Sequence, residues 1–307
     1  MGERKAIDAR ASALMLFICM ILGMQQVALK FVATDISPIM QIALRSGLSA
    51  LLVLPLIQLP QGERLFAKAY LKPGCLLAFL FAGEFVFVAE ALKYTSAAHT
   101  VMLLYTAPIF TALGLHLKIP AERLSKVQWL GIVVAFMGIV VTFLRQDNSM
   151  SASHHHELFG DLLALLAGVF WAMTTIALRL SQLSDVHPSQ TLFYQLFGSF
   201  LLLLPLAFLT GQSHIHWTAL AIGGLVFQTV MVSFVSLMLW FWLLRHYLAS
   251  RLGVFSFLTP LFGMLFGMIA LNERIELNFI IGTIMVMFGV AIVSIRGWVK
   301  QPVKAES

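Results

Sequence analysis

Ala107-Pro108-Ile109-Phe110 returns late in the chain as Thr259-Pro260-Leu261-Phe262, and that copy decides the fold. Working outward, Gly131 and Gly138 answer to Gly282 and Gly289. Ala28-Leu29-Lys30 answers to Ala177-Leu178-Arg179, and Pro38 to Pro188, at offsets between 149 and 152. Proline and glycine held in register over such a distance mark an internal repeat rather than a chance match of apolar runs. Each copy holds five apolar runs, near 13–33, 38–58, 73–92, 97–117 and 127–144, then 159–180, 189–210, 217–243, 252–271 and 278–296. An odd number of crossings returns the second copy into the membrane from the opposite side. The sequence therefore predicts an all-α membrane protein of ten transmembrane helices, built as two inverted five-helix repeats.

Composition agrees. Hydrophobic residues make up 60% of the 307 and charged residues 11%, where a soluble domain carries about a quarter as charges. Backbone groups in lipid must be satisfied within the segment, so recurrent runs of about 20 apolar residues read as spanning helices. The net charge of +6 does not form a basic stripe on a soluble face, which argues against a nucleic-acid partner. Instead the charges sort by side. Lys30, Lys93, Arg145 and Arg274 fall on one side of the ten spans, Arg45 lies inside one, and the other fifteen of the 20 Lys and Arg residues fall on the opposite side. Positive loops stay in the cytoplasm, so both termini are expected there. Trp129, Trp217 and Trp298 lie at span ends, as interfacial aromatics do.

From Phe255 to Ser294 a proline-containing helix leads through Leu271-Asn272-Glu273-Arg274 to a helix bearing Gly282 and Gly289. The first half carries the same order from Tyr105 to Val141, with Ala121-Glu122-Arg123 in the turn. In these features the chain resembles the drug/metabolite transporter superfamily, in particular its bacterial ten-helix group with two EamA domains. The resemblance implies a first repeat over 11–145, an outer linker over 146–158, a second repeat over 159–297 and a cytoplasmic tail over 298–307. It also implies a bacterial inner-membrane protein with a central cavity, exporting amino acids or related metabolites and often driven by protons.

Ionisable groups inside a membrane are functional candidates by default. Arg45 and Glu84 fall at similar depth on the second and third spans. They are expected either to pair as a buried salt bridge or to leave Glu84 facing the cavity as a proton-coupling or cation-binding carboxylate. Glu90 reads as a rim charge beside Lys93. Candidate cavity residues are Tyr105, Trp171 and Thr175, together with Ser233, Ser236 and Trp240, which with Thr229 repeat at helical spacing. Phe257 joins them as the repeat partner of Tyr105. Pro108 and Pro260 are candidate hinges or fixed bends. His154-His155-His156 offers a short metal-binding tract, but its polar surroundings read as linker, so no metal is expected.

No Gly-Lys-Ser/Thr phosphate loop is present, which argues against ATP as the direct energy source and leaves no cofactor implied. Neither His-Glu-x-x-His nor Gly-x-Ser-x-Gly occurs, against an intramembrane enzyme. The expected partners are a small-molecule substrate, lipid and protons. Efflux of cationic drugs or biocides is the near alternative. A receptor or scaffold without transport is the distant one, and oligomeric state is not legible.

Overall fold

A computed structural model describes residues 8–58, 65–119, 124–143, 152–184, 186–246, 256 and 258–294. Its helices are α1 (Ala9–Phe31), α2 (Pro38–Val53), α3 (Lys68–Tyr94), α4 (Ala97–Leu104), α5 (Ala107–Lys118), α6 (Lys126–Phe143), α7 (Ala152–Leu180) and α8 (Pro188–Leu209). They continue with α9 (Ala219–Val226), a π-helix (Phe227–Ser236), α10 (Leu237–His246), α11 (Leu258–Leu271) and α12 (Leu277–Ser294). Among the described residues seven helical runs are long and apolar enough to cross a membrane, taking α4 with α5 and α9 with the π-helix as single runs. Three shorter apolar helices, Lys126–Thr142, Leu258–Leu271 and Leu277–Ile292, accompany them.

Local chemistry sets the helix starts. Pro38 and Pro188, equated by the repeat, each open a helix, where proline's missing N–H is no loss. Asp8 Oδ1 accepts from the Ala11 N–H at 2.7 Å, and the hydroxyls of Ser96 and Thr218 accept from His99 N and Ala221 N at 2.9 and 3.0 Å. Each side chain satisfies an amide that has no partner within its helix.

Three expectations change. The span expected over 97–117 is broken at Tyr105–Thr106, between α4 and α5. Pro108 cannot donate to the carbonyl of Leu104, and its ring crowds that carbonyl. α4 therefore stops at Leu104, and the N–H and Oγ1 of Thr106 both donate to Leu103 O, at 3.2 and 2.6 Å. The span expected over 217–243 contains a ten-residue π stretch, which disturbs the phase of anything read at α-helical spacing. Finally, α7 starts at Ala152, so residues 152–158 extend a helix where a linker was expected. The rest of that linker and the tail over 298–307 lie outside the described residues.

α3 packs along α7, α2 along α8, and α1 along α11, with α4 wedged against α7 and α11. The pairing of α6 with α12 is the most intimate. A Cβ at Gly131 would lie 2.8 Å from Gly289 O, and one at Gly138 would lie 2.7 Å from Gly282 O. The reciprocal approaches, Gly282 to Gly138 O and Gly289 to Gly131 O, are 2.6 and 2.5 Å. Because the earlier glycine of one helix meets the later glycine of the other, the two helices run antiparallel. Such small-residue contacts let membrane helices meet backbone to backbone. Outward faces carry exposed Leu51, Phe79, Ile269 and Phe288, as expected of a surface solvated by lipid.

Gly282→Leu is expected to destabilise the protein by about 1–3 kcal/mol or more through overpacking, read as a lower unfolding midpoint in detergent. Gly223→Ala, where a Cβ meets nothing within 4 Å, is expected to leave that midpoint unchanged or raised. An unaltered midpoint for Gly282→Leu would mean that the helices do not cross there.

Candidate functional site

A cavity of about 280 Å³ opens among α1, α2, α3, the α4–α5 break, α7, α8 and the π-helix. Its polar lining comprises Gln25 and Gln26, Arg45, Glu84, Tyr105, Thr174 and Thr175, Gln195 and Ser233. Its apolar wall includes Leu22, Phe81, Phe85, Leu104 and Trp171. Residues from both halves of the chain thus contribute.

Arg45 sits at the centre of the arrangement. Its side chain is 2% exposed, and Nη1 donates to Gln228 Oε1 at 2.6 Å. The Gln228 amide in turn donates to Gln25 O at 2.9 Å, so three helical segments are tied through one guanidinium. That guanidinium also lies 4.4 Å from the centroid of the Phe85 ring, within cation–π range. Glu84 is 5% exposed. Its Oε2 and Arg45 Nε have no hydrogen-bond partner. Ion pairs among the described residues include Lys30–Glu273, Lys93–Glu90 and His99–Asp161. Arg45 and Glu84 do not meet within ion-pair distance; the guanidinium bonds Gln228 and lies against Phe85.

Of the other sequence candidates, Tyr105 and Trp171 meet edge to face with centroids 5.1 Å apart. Thr175 lines the cavity, but its hydroxyl donates to Trp171 O at 3.1 Å, within its own helix. Ser233 lines the cavity. Thr229, Ser236 and Trp240 do not, and the π stretch, whose turns hold about one residue more than α turns, breaks the α-helical spacing on which that stripe was read. Ser236 Oγ donates to Met231 O at 2.8 Å, the carbonyl five residues back that a π-helix presents. Trp240 packs with Met15 and Leu243. Pro108 begins α5 beside the break and Pro260 is buried in α11. Phe257 lies outside the described residues. Glu90 holds Lys93 at 2.7 Å and accepts from Gln212 at 2.9 Å, on the rim as expected.

A second polar cluster bridges the halves at the end of the bundle where α1 and α3 finish and α4 and α7 begin. Glu273 accepts from Ala97 N and Ala98 N at 2.7 and 3.1 Å and from Lys30 Nζ at 3.2 Å. A carboxylate of the second half thereby caps a helix of the first. Lys30 Nζ also donates to Thr95 O at 2.7 Å. Asp161 accepts from Thr95 Oγ1 at 2.5 Å and meets His99 Nδ1 at 3.0 Å, while the His99 ring stacks on Phe279 at 4.1 Å. The cavity lies away from this cluster, extending toward Leu178, Gln195 and Leu237 at the opposite helix ends. Among the described residues no group of His, Cys, Asp and Glu could hold a metal ion.

The sequence reading passed over Gln25, Gln26, Gln195, Gln228 and Asp161. Their signal was present, since amides and an acid inside apolar runs must find partners or a cavity. Arg45 and Glu84 drew notice first because charge is costlier.

The family model described as EamA-like transporter matches residues 10–144 and 158–295. The chain is similar to the "Uncharacterized transporter YoaV" of Bacillus subtilis, 23% identical, covering 89% of this chain and 92% of that one. It is 24% identical to a "Probable amino-acid metabolite efflux pump" of Salmonella typhimurium, covering 91% and 93%. Its counterpart of the same description in Escherichia coli is 22% identical, over 93% and 95%. One solved crystal structure shares the fold with a TM-score of 0.64 at 17% identity, covering 95% of this chain and 99% of the other.

Gln228→Leu removes the acceptor from the buried Arg45 and is expected to lower stability by about 1.5–3 kcal/mol. Gln228→Glu, which keeps an acceptor, is expected to recover most of that loss in the same unfolding assay.

Proposed function

The chain belongs to the EamA-like transporter family, and from that premise we propose that it is a secondary exporter of small metabolites, amino acids or related amphipathic solutes, working by alternating access. The observation that carries this reading is a cavity lined by both halves, with a separate cluster of contacts crossing between the halves at one end of the bundle. The matches to transporters over nearly the whole chain point away from an enzyme. Two relatives described as amino-acid metabolite efflux pumps support the solute class.

In this reading all ten apolar helices cross a bacterial inner membrane as two inverted five-helix repeats, and both termini are cytoplasmic. The antiparallel meeting of α6 with α12 supports inversion, since each residue contact recurs when the halves are exchanged. The side lined by Leu178 and Leu237 then faces the cytoplasm, so the cavity is inward-facing. The Lys30–Glu273 and His99–Asp161 contacts form the outer gate. Solute enters from the cytoplasm, the outer contacts part, and the halves rock about the fixed site. The break at Tyr105–Thr106 is the hinge that lets α4 tilt with the gate while α5 stays packed. Glu84 is the carboxylate of the cavity lining, so a proton and a positively charged solute group would compete for it, which is the basis for proton-driven exchange.

Efflux of cationic drugs is the second reading, favoured by Glu84 among Phe81, Tyr105 and Trp171. Counterflow in proteoliposomes separates the two: export of amino acids predicts exchange of labelled amino acid, whereas drug efflux predicts movement of a cationic dye that Glu84→Gln abolishes. If no tested solute moves with or without a pH gradient, transport is refuted and a receptor or scaffold takes its place.

Glu273→Ala removes charge-assisted bonds worth about 1.5–3 kcal/mol from the outer gate. Labelling of Leu104→Cys by a membrane-impermeant maleimide from outside the cell is expected to rise by roughly tenfold. Unchanged labelling would place the gate elsewhere.

A further inference from the structure

This inference rests on the transport reading above and concerns which solutes the cavity takes. Arg45 and Glu84, ionisable groups of opposite type, line one cavity without meeting in a salt bridge. Arg45 commits Nη1 to Gln228 and leaves Nε without a partner, and Glu84 leaves Oε2 without one. Both side chains are more than nine-tenths buried. Uncompensated charge in a dry interior is strongly unfavourable, so a pair serving only to join α2 and α3 is expected to close into contact. Here the guanidinium is fixed away from the carboxylate by the Phe85 face and by Gln228, itself anchored on Gln25. Such bracing keeps the guanidinium and the carboxyl as two distinct groups on the lining of one cavity, beside Phe81, Tyr105 and Trp171.

We propose that Arg45 and Glu84 are the specificity-determining pair of the transporter, Arg45 receiving a carboxylate and Glu84 an ammonium group of the same solute. The wall of Phe81, Tyr105 and Trp171 receives its apolar body. A zwitterion offers each of the two groups a charge-assisted partner at once. The same body with one charge satisfies one partner and strands the other, and sites built around buried polar groups reject ligands that leave them unpaired. A cavity of about 280 Å³ limits the body to about one ring.

Three probes that share a phenylalkyl body test this on the full-length protein in detergent by titration calorimetry: L-phenylalanine, phenethylamine with only the cation, and 3-phenylpropionate with only the anion. The wild type is expected to bind L-phenylalanine about thirtyfold or more tighter than either analogue. Glu84→Gln is expected to reduce L-phenylalanine to the level of 3-phenylpropionate, and Arg45→Gln to the level of phenethylamine. A merely structural pair predicts instead that each variant weakens all three probes alike, and that result overturns the proposal. Should the variants not fold, the wild-type ratio decides alone. Equal binding of the three probes, or binding of none, overturns the assignment. Counterflow of any other solute by that same wild type would leave the transport reading standing.

Discussion

A peptide group in hydrocarbon has no water to bond, and every irregularity of this chain is shaped by that fact. Where proline ends α4, a threonine hydroxyl takes up the carbonyl of Leu103. Where the helix before α10 widens into π turns, Ser236 returns a hydrogen bond to Met231. Both irregularities contribute residues to the cavity, Tyr105 at the break and Val232 and Ser233 in the π turns. Non-helical backbone is tolerated at membrane depth only where protein or a polar space covers it, so the places where the ladder fails are also those where a solute can be reached.

The two halves are held together in two different ways. α6 and α12 meet through glycines with no room for a side chain, a contact that is short-ranged and hard to open. At the other extreme Glu273, Lys30, Asp161, Thr95 and His99 meet through a few directional bonds, each of which has a clear alternative in water. A bundle that must move needs both kinds, one to keep the halves from parting and another to let one end separate.

Much of this was legible beforehand. The matched Pro38 and Pro188 fall at the starts of expected spans, where helices do begin, because proline acts through local backbone geometry. Gly131, Gly138, Gly282 and Gly289 were legible as marks of the repeat, and their close packing came from the structure. Burial of Arg45 and Glu84 was foretold by their place in apolar runs. Their failure to join was not, since it depends on Gln228, which is 183 residues from Arg45 in the chain. The stripe of Ser233, Ser236 and Trp240 failed for a different reason. Periodicity assumes a fixed turn, and nothing in Phe227–Ser236 announces that the turn is wider there.

That wider turn has a mechanical consequence. A π segment accommodates a surplus residue within an otherwise continuous rod, and the surplus can migrate by exchanging one backbone bond at a time. Gln228, which fastens Arg45, and Ser233, which lines the cavity, both ride on this stretch. Both side chains are therefore spaced about the axis by the wider turn, and the face that meets Arg45 and the cavity is one that an α-helix of the same sequence would not present.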